Sequence, residues 1–97
     1  MARHVLIAGG GIAGLSSAWE LARAGLRVSL IERQETGRES SWAGAGILSA
    51  LLPWDYKRPV TRLLHASLAR YPDWIDALRA HSSTDPEYRR TGMLVLP

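Results

Sequence analysis

The feature that constrains this chain most is a change of hydrophobic period at a run of glycines near its start. Val5-Leu6-Ile7-Ala8 is continuously apolar, Gly9-Gly10-Gly11 follows, and beyond it Leu15, Ala18, Trp19 and Ala22 recur on one helical stripe. The apolar run predicts a strand buried on both faces, as in a parallel sheet. A helix is expected over residues 12–24, with Gly25 where a C-cap glycine belongs, and Val28-Ser29-Leu30-Ile31 forms the next strand, ending at Glu32. Strand, helix and strand within about thirty residues make one βαβ unit, and the fold class is α/β.

The glycine spacing says what such a unit is for. Gly9, Gly11 and Gly14 spell G-x-G-x-x-G between a strand and a helix. Gly9 permits the sharp turn out of the strand, Gly11 leaves room for backbone to approach a pyrophosphate, and Gly14 lets the helix pack closely on the sheet. The helix N-terminus then offers unpaired N–H groups and the positive end of a dipole to the phosphates. Ala18, Leu21, Gly25 and Val28 supply the small or apolar packing positions this fingerprint needs. Glu32 stands about twenty residues past the glycines, where a carboxylate accepts hydrogen bonds from both ribose hydroxyls of an adenosine and repels a 2′-phosphate. That argues against NADP and leaves FAD and NAD open.

The remainder alternates loops with one long helix. The polar stretch 34–41, with Gly37, is a loop; residues 40–49 are small and carry Gly44 and Gly46; Pro53 and Pro59 bracket a second irregular stretch with Trp54 and Tyr56. Val60, Leu63, Leu64, Ser67, Leu68, Tyr71, Trp74, Ile75 and Leu78 then keep i, i+3, i+4 spacing across roughly five turns. Pro72 lies inside that stripe and predicts a kink or a restart. After a polar loop over 81–87, Gly92-Met93-Leu94-Val95-Leu96 reads as a strand.

Bulk properties remove several classes of function. A 97-residue chain with 46% apolar residues is one small globular domain with a modest core. The net charge of +3 is spread along the chain without a dense basic run, so no nucleic-acid partner is expected. The absence of cysteine removes disulfides, thiolate metal sites and cysteine nucleophiles. His4, His65 and His81 have no partners at metal spacing, and Asp73 and Asp76, one turn apart, suit a solvated face. The serines lack an evident base partner, which disfavours nucleophilic catalysis. The N-terminal apolar run is broken by glycines, so neither a signal peptide nor a membrane span is expected, and a cytoplasmic location is the default.

The stretch Ser40-Ser41-Trp42-Ala43-Gly44-Ala45-Gly46-Ile47-Leu48-Ser49 resembles the flavin-facing loop of the D-amino-acid oxidase superfamily, and its glycine oxidase branch most of all. Tyr71-Pro72 and Arg90-Thr91-Gly92-Met93-Leu94-Val95-Leu96 are similar to the same branch. The resemblance implies a Rossmann-like FAD-binding fold with FAD as cofactor. It implies that Ile12 and Ala13 border the pyrophosphate, that Glu32 holds the ribose with Arg33 beside the adenine, and that Ser40 and Ser41 contact the phosphate region. It further implies that Ala45, Gly46 and Ile47 run along the isoalloxazine ring, where small side chains let backbone approach a flat ring. Trp42 is expected as a packing anchor in preference to a flavin-stacking group; Trp54 and Tyr56 either cover the site or face a further domain.

In such enzymes the amine-bearing carbon of a small amino acid or amine gives up a hydride, and an arginine later in the chain holds the substrate carboxylate. No catalytic side chain is therefore assigned within these residues. Residues 1–97 are expected to be the N-terminal FAD-binding domain, incomplete without a downstream substrate domain, with 91–97 beginning one of that domain's strands. An unpaired strand around Met93, Leu94, Val95 and Leu96 is expected to pair with another copy, giving a homo-oligomer, or to stick to the long helix. Two other readings share the flavin fold: a tRNA-modifying oxidoreductase, and a free-standing nucleotide-binding module or subunit.

Overall fold

A computed structural model describes residues 3–50, 57–94 and 96. The elements run β1 (His4–Ala8), α1 (Ile12–Arg23), β2 (Arg27–Ile31), α2 (Ser40–Ala43) and α3 (Arg58–His81). The chain divides into two compact units, Met1–Ile47 and Leu48–Pro97.

The first unit is the βαβ motif. Strands β1 and β2 pair in parallel, with Val5 opposite Val28 and Ile7 opposite Leu30. These four side chains are half-buried, as are Ala18 and Leu21 of α1, which packs on both strands. Each half-covered aliphatic residue contributes on the order of 1 kcal/mol. The expectation of strands buried on both faces is not met: β1 alternates, with His4, Leu6 and Ala8 exposed, and Leu6 and Ile31 retain 65% and 59% of their surface. The physical reason is that a single helix covers a single face of a two-stranded sheet.

Helix α1 ends as its sequence requires. The Gly25 N–H donates to the Ala22 carbonyl and the Leu26 N–H to the Leu21 carbonyl, both at 3.0 Å, the paired bonds of a Schellman cap, with Gly25 at φ +88°. The stripe the sequence suggests is covered in part, at Ala18 and Trp19. Gly14, Ala18 and Leu21 are half-buried, whereas Leu15 and Ala22 are exposed.

In the second unit α3 runs unbroken for 24 residues. Pro59 sits in its first turn rather than in the preceding loop, because the first N–H groups of a helix have no partner inside it. Pro72 neither ends nor restarts the helix; it forgoes the ladder bond to the Leu68 carbonyl while the turns on either side continue. Ile75 is buried, and Leu64, Leu68, Tyr71, Trp74 and Leu78 are half-buried along the expected stripe. The Tyr71 ring stacks on Tyr88 at 6.2 Å and meets Trp74 edge-on at 5.7 Å. The strand expected over 92–96 is not formed among the described residues: 91–94 and 96 have no regular structure, and Met93, Leu94 and Leu96 are exposed. A strand needs a neighbour to pair with, and the described residues of this unit hold no other strand. Pro53, Trp54, Tyr56 and Val95 lie outside the described residues. No helix among those described is long and apolar enough to cross a membrane.

Candidate functional site

The glycine turn between β1 and α1 is built as its spacing requires. Gly9 carries the β-ladder one step further, its N–H donating to the Ile31 carbonyl at 2.8 Å, and then turns the chain at φ +106°, where a side chain would be strained. A Cβ on Gly14 would collide with the Gly9 carbonyl oxygen, so the helix seats directly on the turn. Gly11 is the N-cap of α1 and, having no side chain, cannot cap it.

That cap comes from elsewhere in the chain. The Ser41 hydroxyl oxygen accepts the Ile12 N–H at 2.8 Å across 29 positions. A Cβ on Gly11 would approach the same Ser41 Oγ to 3.0 Å. Helix α2, three small or polar residues and one tryptophan, has no apolar period to announce it and was expected as loop; it carries Ser40 and Ser41 to the start of α1. Ala45, Gly46 and Ile47 follow it as exposed irregular backbone, with Gly46 at φ +78° and Ile47 74% exposed. Trp42 is not a packing anchor: it is 67% exposed, and the Arg38 guanidinium lies over its ring at 4.2 Å. A short helix of one turn has no second apolar position with which to bury an indole.

Glu32 leaves the end of β2 and turns back toward the glycines. Its Oε1 accepts the Gly10 N–H at 3.1 Å and its Oε2 accepts the Gln34 N–H at 2.7 Å. These two bonds, Gln34's foremost, hold its carboxyl below the ordinary carboxylate range against the opposing effect of partial desolvation, with Arg33 beside it helping. Arg33 itself grips Glu39 in bidentate fashion, Nε to Oε1 at 3.0 Å and Nη2 to Oε2 at 2.8 Å, and that carboxylate raises the guanidinium's proton affinity.

The structure thus brings Gly9, Gly11, Ile12, Gly14, Glu32 and Ser41 together around one turn. Ala13 follows Ile12 in the exposed first turn of α1, and Ser40 adjoins Ser41. Sequence reasoning missed Gly10, the buried residue of the turn, whose carbonyl accepts the Gly37 N–H at 2.8 Å. The one signal for it was a third glycine where the motif tolerates any residue.

These residues suit a dinucleotide. The first amide of α1 is taken by Ser41, and the N–H groups that follow it in the first turn, beginning with Ala13, have no acceptor within the helix and are the ones left for a phosphate. The Ser41 O–H, having accepted through its oxygen, retains a proton to donate to a phosphate. Each Glu32 oxygen has taken one N–H and keeps a lone pair for a ribose hydroxyl.

The family model of FAD-dependent oxidoreductases abbreviated DAO matches residues 4–97. This chain belongs to the DAO family of FAD-dependent oxidoreductases. It is 48% identical over 93 residues to a glycine oxidase of Pseudomonas aeruginosa, covering 96% of this chain and 26% of that protein. A glycine oxidase of Pseudomonas putida is 44% identical over the same shares. A tRNA 5-methylaminomethyl-2-thiouridine biosynthesis bifunctional protein of Chromohalobacter salexigens is 39% identical, covering 91% of this chain and 12% of that protein. The chain therefore spans about a quarter of the length of the glycine oxidases it matches, at 26%. No solved structure matches it. The expected likeness to that superfamily, and to its glycine oxidase branch, is borne out.

Proposed function

We propose that this chain is the FAD-binding portion of a flavin-dependent amino-acid oxidase that acts on glycine, a small D-amino acid or a secondary amine of that class. When bound, FAD would supply the hydride acceptor that converts the amine to an imine, with oxygen taking up the electrons. The chain's own residues bind and orient. The amide of Ala13 and the hydroxyls of Ser40 and Ser41 face the pyrophosphate, which Ile12 borders with its own amide held by Ser41; Glu32 accepts the ribose hydroxyls, and Arg33 lies beside the adenine. Ala45, Gly46 and Ile47 present backbone N–H groups and little bulk to the ring, which favours negative charge there. No side chain among these residues is assigned to the substrate; its carboxylate needs a cation supplied by the companion substrate domain.

The observation that carries this reading is the Ser41–Ile12 bond, which brings the Ser41 hydroxyl of α2 to the start of α1, beside a glycine turn whose Gly10 N–H is held by the Glu32 carboxylate. The 96% coverage of the chain by two glycine oxidases supports the substrate class. The match to the tRNA-modifying protein favours a second reading, in which the same flavin site serves a modified base. The evenly spread net charge of +3 is the reason for preferring a small substrate and no nucleic acid. The exposed apolar residues Met93, Leu94 and Leu96 would pair with the substrate domain or, without it, with a second copy.

Titration of the chain with FAD, FMN and NADP, followed by flavin or intrinsic fluorescence, tests the assignment. FAD is expected to saturate the chain at least tenfold more tightly than FMN, which lacks the adenosine, and NADP not to compete. Equal affinity for FMN and FAD would sink it.

A further inference from the structure

Gly10 is gripped on both of its peptide planes by residues that follow β2. Its N–H is bound by Glu32 Oε1 at 3.1 Å, and its carbonyl is bound by the Gly37 N–H at 2.8 Å. The grip is steric as well: a Cβ on Gly10 would stand 2.8 Å from Thr36 Cγ2 and 3.1 Å from Glu32 Cβ and Cγ. The other Glu32 oxygen ties down Gln34 at 2.7 Å, so one carboxylate spans the turn before α1 and the turn after β2. Gly10 also lies between Gly9, at φ +106°, and the α1 N-cap Gly11. Three consecutive glycines have more freedom to lose than any other tripeptide, and a turn left to itself would sample many arrangements.

We propose that Glu32 is a positioning residue for the phosphate-binding turn, acting through Gly10, in addition to its place at the ribose. Resting on the FAD-site reading above, this makes pyrophosphate recognition depend on a carboxylate that does not touch phosphate. The consequence runs against simple electrostatics, because deleting a negative charge beside an anion site should by itself tighten anion binding.

A ligand-deletion cycle separates the two roles. Wild type and Glu32→Ala are titrated with ADP and with 2′,3′-dideoxy-ADP, which keeps the pyrophosphate and lacks both ribose hydroxyls. If Glu32 only reads ribose, the substitution weakens ADP and leaves the dideoxy ligand unchanged or tighter, and the proposal is overturned. The proposal expects the dideoxy ligand to weaken too, by about tenfold, the worth of one to two lost hydrogen bonds in positioning. Amide exchange in the ligand-free chain gives an independent reading. Gly10 and Gln34 are expected to be protected in wild type and to lose protection together in Glu32→Ala. Should that variant fail to fold, Glu32→Gln, which keeps one acceptor oxygen and turns an NH2 toward the other amide, is expected to release one of the two amides; unchanged protection of both overturns the proposal. A wild-type chain that binds neither ligand would fail the FAD-site reading, while the exchange pattern would still decide the clamp.

Discussion

The two units of this chain are organised by contacts of different reach. In Met1–Ile47 the decisive bonds join residues far apart: Gly10 to Glu32 across 22 positions and Ile12 to Ser41 across 29. In Leu48–Pro97 the side-chain bonds of Arg79, His81, Ser82 and Asp85 reach two to six positions along the chain. The first unit is a site assembled from three segments, and each segment's geometry depends on the others. The second is a helix whose ladder is local, with the stacking of Tyr88 on Tyr71 as its longer contact. Perturbations should therefore propagate in the first unit and stay put in the second.

The largest expected effect comes from Gly14→Ala. Helix propensity alone would favour alanine by about 1 kcal/mol. The new Cβ would instead meet the Gly9 carbonyl, a backbone atom that cannot yield without moving β1 or α1. Net destabilisation of about 3 kcal/mol is expected, read from the urea midpoint. Pro72→Ala should act in the opposite direction and confine itself to α3. It restores one ladder bond and relieves a helix-interior proline, partly offset by a freer unfolded chain, for a gain of about 2 kcal/mol in α3. A higher melting temperature of the helical signal would check it. Ser41→Ala removes the hydroxyl that accepts the Ile12 N–H and should cost about 1 kcal/mol, as other N-cap losses do. Loss of exchange protection at Ile12, with α3 unaltered, would mark the effect as tertiary.

A pH titration sharpens the same contrast. Glu32 and Asp85 both have carboxyls held low, Glu32 by the N–H groups of Gln34 and Gly10, Asp85 by the Glu87 N–H and then Arg79. A folded-state value below the ordinary one means each contribution is complete above the ordinary carboxylate range and lost as pH falls through the lowered folded value. Protonating Glu32 should shift the amides of Gly10 and Gln34 together, in two segments, whereas protonating Asp85 should shift only its neighbour Glu87. The smallest effect is expected of Arg79→Ala. Its pairs with Asp76 and Asp85, at 3.5 and 3.3 Å, are solvent-exposed and should change stability by no more than about 0.5 kcal/mol.

What could be read in the sequence follows the same division. The strands, α1 and its glycine cap were legible because a period change and Gly25 encode them within a few residues. The α3 stripe was legible for the same reason, although Pro72 overstated the break. The identities of Gly9, Gly11, Gly14 and Glu32 at the site were legible from spacing; the clamp on Gly10 was not, because it depends on where two backbone N–H groups point after folding. Helix α2 was hidden by its shortness, and the exposure of Trp42 with it. A strand over 92–96 is encoded by composition, but pairing needs a neighbour that composition does not supply.

The most direct test of the central claim is an amide map of the chain on addition of FAD. If the glycine turn holds the cofactor, the resonances of Gly10, Gly11, Ile12, Ala13, Glu32 and Ser41 move together and saturate as one site, while those of α3 from Thr61 to His81 stay where they are. Saturable shifts centred on α3, or none in the glycine turn, would contradict it.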